Sequence, residues 1–138
     1  MAGRARIAET FLGAVAAAIC LATAVLFSGQ VELFPLPGLY LIEISLAGVL
    51  SLLAIARADG PTTLWGAVPW LAAGVLAAFV VLGMFSVGPF LAPAALALVL
   101  AGVVSDRRRG AAGVGHGVAF LIAAGTQATI MWLVFTVR

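Results

Sequence analysis

The chain contains no lysine, one cysteine, one histidine and very little charge of either sign: seven basic and five acidic residues in 138. Each scarcity removes a class of function. With only 9% charged residues, the chain lacks the polar shell of a soluble domain, which ordinarily draws on about 25%. Cys20 alone permits neither an internal disulfide nor a cysteine-based metal site, and inside an apolar run it reads as a small hydrophobe. His116 alone cannot supply two axial haem ligands or a histidine-based zinc site, so neither metal nor cofactor is expected. No basic face interleaved with aromatics exists, and nucleic acid is therefore not an expected partner. There is no nucleophile–base pair, phosphate loop or dinucleotide fingerprint, and the chain is read as non-enzymatic.

What remains is apolar. Hydrophobic residues make up 64% of the sequence and the mean hydropathy is +1.26, so lipid is expected to solvate most of the surface. A crossing needs roughly 20 apolar helical residues. The runs predict helices over 7–27, 39–56, 64–85, 89–104 and 117–137: an all-α, polytopic membrane bundle in one domain. The third and fourth divide a stretch, Gly60 to Ser105, that carries no charge at all. Ser86-Val87-Gly88-Pro89, followed by Pro93, marks the break, because proline is tolerated in the first turn of a restarting helix.

The seven basic residues, all arginine, test that count. Five crossings with the N-terminus inside place Arg4, Arg6, Arg57, Arg107, Arg108 and Arg109 in the cytoplasm and only Arg138 outside. Four crossings would leave three arginines in and four out, against the positive-inside rule. The expected topology is N-terminus inside, C-terminus outside. Absence of lysine beside abundant Ala, Gly, Val and Arg suggests a high-GC bacterial gene, hence a multi-pass protein of a bacterial plasma (inner) membrane. A cleavable signal peptide is the rival reading of the first run, with Ala22-Thr23-Ala24 as its cleavage site. The run of about 21 residues is longer than the 7–15 of a signal peptide's apolar core, which favours a retained helix.

The outer connection, Ser28 to Gly38, is expected to be extended and stiffened by Pro35 and Pro37. The inner one, Ser105 to about His116, is glycine-rich and expected to be flexible. Phe27-Ser28 leading to Leu46-Ala47-Gly48-Val49 loosely matches Phe85-Ser86 leading to Leu100-Ala101-Gly102-Val103. A duplicated in–out–in hairpin and chance matching in a low-diversity sequence both account for this.

Glu43 is the sharpest candidate for chemistry, since intramembrane carboxylates are costly and are functional candidates by default. It is expected about five residues inside the outer end of the second helix, roughly 7 Å deep, with no basic residue at that depth. It must then be protonated, reach water at the rim or bond neutral donors. Thr23, Tyr40, Thr129 and Trp132 lie at comparable depth. A proton- or cation-exchanging acid is one reading; a glutamate that fixes helix packing or pairs with a partner subunit is the other, favoured by the shallow site. Gln127, in the middle of the fifth helix, reads first as interhelical glue and second as the lining of a polar path. Arg107, Arg108 and Arg109 serve as topology determinants and can attract anionic headgroups. Asp59 and Asp106 read as solvated loop charges, and Glu9 as an edge residue of the first run. The function expected is that of a non-catalytic accessory or scaffold subunit, with the bilayer and a membrane-protein partner or further copies of the chain around it. The alternative is a small proton-coupled or cation carrier or channel component using Glu43.

Overall fold

The computed structural model describes residues 2–29, 36–57, 64–110 and 113–137. Glu32, Asp59 and Arg138, and most of the Ser28–Gly38 connection, lie outside them. Five α-helices follow in order: α1 Ala2–Ser28, α2 Leu36–Arg57, α3 Val68–Leu82, α4 Gly88–Arg109 and α5 Gly113–Thr136, with a short 3-10 turn at Leu64–Gly66 leading into α3. All five helical segments are long and apolar enough to span a membrane.

Their boundaries depart from hydropathy where local chemistry intervenes. The expected third helix, 64–85, begins as the 3-10 turn and becomes α-helical only at Val68, with Pro69 in its first turn; there a missing N–H costs nothing. It stops at Gly83, whose N–H bonds to the Phe79 carbonyl at 2.8 Å, and the Gly88 N–H returns to the Gly83 carbonyl at 2.8 Å. A side chain at Gly88 would stand 2.6 Å from the Val80 carbonyl oxygen, so this turn is closed by glycine. Pro93 lies inside α4 and does not break it.

Two connections expected to be loops are partly helical. α2 begins at Leu36, taking Pro37 and Gly38 into its first turn. α4 runs on past 104 to Arg109 and ends at Gly110, which adopts the left-handed φ of 64°, the usual helix-terminating conformation. Arginines in a last turn also complement the carbonyl end of the helix. α5 then starts at Gly113, so Gly113, Gly115 and Gly117 are helical rather than part of a flexible loop.

α1 packs against α2 and α4, and α3 against α2 and α4, closing a four-helix ring. Its core is small and tight: Ala16 and Cys20 of α1, Ile44 of α2, Leu76 and Phe79 of α3, and Leu91 and Leu98 of α4. A side chain on Gly48 would meet Cys20 Cβ at 2.9 Å, so α1 and α2 approach closely through small residues. The ring is not two-fold symmetric, since α1 lies along α4 far more extensively than α2 along α3; a duplicated hairpin would make those two interfaces equivalent. α5 stands outside the ring against α3. Only 11% of its apolar span is buried, against 28–44% in the other four. The beginnings of α1, α3 and α5 and the ends of α2 and α4 gather at one end, where the described arginines lie.

Candidate functional site

Buried polar side chains collect in two places. The first is the arginine end. Glu9, about two turns into α1, is fully buried, and Arg108 Nε of α4 donates to its Oε2 at 3.0 Å. The Arg109 guanidinium stands 4.0 Å from Glu9 Oε1 and also bonds Ser105 through the carbonyl and the hydroxyl oxygen. It fills the space beside Gly66, where a side chain would meet its Nη1 at 2.9 Å. Charge from α4 therefore ties α1, α4 and the turn before α3 together. Of the three neighbouring arginines only Arg107 is exposed; the other two turn inward onto Glu9.

On another side of the same helix, Asp106 Oδ1 pairs with His116 Nδ1 of α5 at 2.8 Å. Asp106 is buried and helical rather than a solvated loop charge. Among the described residues, its Oδ2, the Trp70 indole N–H and Glu9 Oε1 are buried without a hydrogen-bond partner. Nearby, the Arg57 guanidinium lies 5.7 Å over the Trp65 ring, a cation–π contact joining the end of α2 to the turn before α3.

The second place is intramembrane. Gln127 Nε2 of α5 donates to Glu43 Oε2 of α2 at 3.0 Å. Gln127 is the one side chain that α5 buries among those described, and Glu43 is half-buried. Because α2 starts at Leu36, Glu43 lies about 10 Å from the helix start at 1.5 Å per residue, and five residues inside the apolar span that begins at Gly38. A neutral donor meets the carboxylate, as the absence of a cation at that depth requires, but the donor is Gln127.

The other candidates do not join this pair. Thr129 is exposed and bonds the Gly125 carbonyl of its own helix at 2.8 Å. The Tyr40 ring packs edge-on against Phe79 at 5.5 Å, Thr23 is buried on α1, and Trp132 is exposed.

Sequence reasoning missed Glu9. The signal was available: with five crossings, the start of α1 and the end of α4 share one membrane face, so an acid nine residues into the chain stands level with the arginine triplet.

No family model matches the chain, and neither curated proteins nor solved structures show a significant similarity to it.

Proposed function

We propose that this is a multi-pass protein of a bacterial plasma (inner) membrane, N-terminus inside and C-terminus outside, acting as a non-catalytic accessory or scaffold subunit of a membrane assembly. The observation that carries the reading is α5. Within its own chain it buries Gln127 and little else, while Val118, Leu121, Ile122 and Trp132 face outward. Gly125 and Thr129, one turn apart, are exposed among them, and nothing lies within 4 Å of where a Gly125 side chain would begin. Small residues at that spacing let a second helix approach closely. The buried polar groups support the same reading, because the hydrogen bonds they make are helix–helix joints or bonds within one helix.

Two measurements test it. In mild detergent, light scattering is expected to show the chain associated with itself or with a partner, and Gly125→Leu is expected to reduce that association. A monodisperse monomer would overturn the scaffold reading. A reporter fused after Arg138 is expected to score outside; a cytoplasmic score would overturn the five-crossing topology.

A further inference from the structure

We infer that the Glu43–Gln127 pair is a lateral docking site for a basic side chain carried on a transmembrane helix of a partner protein. The inference rests on the accessory-subunit reading and names the chemistry by which a partner is recognised. α2 and α5 both pack on α3 but scarcely on one another, so a furrow runs between them with α3 as its floor. The hydrogen bond from Gln127 to Glu43 Oε2 bridges that furrow. Glu43 lies beside Leu39, Ile42, Leu46 and Leu50, all exposed, at the edge of the face that α2 turns to the bilayer.

Gln127 is the only hydrogen-bond partner of Glu43 among the described residues. With Oε2 taken up by the buried Gln127, Oε1 of the half-buried Glu43 is the acceptor that remains. An acceptor that carries a full negative charge when ionised suits an ammonium or guanidinium. The described arginines stand at the far end of the bundle or in its last turns there, so none of the described residues offers a cation at that depth. A carboxylate in lipid is retained where something repays its cost. A partner helix fits better than a dissolved ion, because the α2 side chains beside Glu43, namely Leu39, Ile42, Leu46 and Leu50, are apolar and exposed.

The test uses the full chain reconstituted in phosphatidylcholine vesicles, and leucine–alanine transmembrane peptides bearing one lysine seven residues from one end. A peptide with leucine in place of the lysine is the control, and association is read by energy transfer from a fluorophore on the chain's C-terminus. The lysine peptide is expected to bind about tenfold more tightly, equivalent to about 1.4 kcal/mol. Glu43→Gln, which keeps shape and hydrogen bonding, is expected to abolish the preference, and Glu43→Asp to retain part of it. Helical content by circular dichroism checks that each variant folds.

Equal binding of the two peptides to the wild type, or an undiminished preference in Glu43→Gln, would overturn the inference. So would saturable, Glu43-dependent binding of tetraphenylphosphonium without any peptide preference, which would make this a site for a lipophilic organic cation and favour a carrier. Failure of the chain to associate in detergent, with the lysine preference intact, would remove the scaffold reading and leave the site standing.

Discussion

Glu9→Ala is expected to destabilise the bundle by roughly 3 kcal/mol, the lower end of the range for removing one partner of a buried ion pair. Glu9 is fully buried while Arg108 retains 17% exposure, so some of the orphaned charge on Arg108 can be relieved by water at the membrane face. Arg109 has less relief, at 5% exposure, and keeps its bonds to Ser105. The loss falls on α1, which Glu9 ties to the end of α4. Unfolding in a graded mixture of mild and denaturing detergent measures the effect. Glu9→Gln preserves an acceptor for Arg108 Nε and is expected to cost less than Glu9→Ala, because the hydrogen bond survives and only the charge of the pair is lost. A loss below about 0.5 kcal/mol for Glu9→Ala would show that the pair behaves as an exposed one.

The same contact shows where hydropathy stops being informative. The spans and the turn at Gly83–Gly88 follow from run length, charge-free stretches and proline placement, because a bilayer imposes length and polarity on every crossing. Hydropathy does not say which side of a helix faces which neighbour. Glu9 and Arg108 are 99 residues apart in sequence and Glu43 and Gln127 are 84 apart; each pairing depends on which helices adjoin and on their rotation. Glu43 and Gln127 were legible as separate polar residues in apolar surroundings. Their union was not, because it requires α5 to lie over α3 within reach of α2. The ends of α4 and α5 were obscured for a different reason. Charge and glycine normally mark loops, yet here three arginines complete a helical turn and three glycines begin the next helix.

α5 packs extensively on α3 and scarcely on any other helix, and two polar bonds extend that attachment to the neighbours of α3. At the arginine end His116 reaches Asp106 of α4; farther along, Gln127 reaches Glu43 of α2. The two bonds reach to opposite neighbours of α3, so together they resist sliding and rotation of α5 over it. Interhelical polar contacts in membranes contribute about 0.6 kcal/mol on average, seldom more than about 1.7. Two of them set the register; the close backbone approach between α3 and α5 must supply much of the rest.

That approach is centred on Gly74, and Gly74→Ala is expected to break it. A side chain there would collide with the Phe120 carbonyl oxygen and stand 3.0 Å from Ala123 Cβ and 3.1 Å from the Ala124 amide nitrogen. Two of the three obstacles are backbone, so no rotamer change relieves them and α5 itself must move outward. Overpacking of this kind costs about 1–3 kcal/mol. The substitution also gains up to about 1 kcal/mol of helix propensity, and the clash is expected to outweigh it. Gly117→Ala is the control. It lies in α5 with nothing within 4 Å, receives the propensity gain without the collision, and is expected to be neutral or slightly stabilising. Detergent unfolding, together with the yield of a disulfide engineered between α3 and α5, separates the outcomes. Gly74→Ala should lower both stability and crosslinking while Gly117→Ala lowers neither. If both variants cross-link as the wild type does, α5 does not depend on that close approach, and its attachment must come from the two polar bonds.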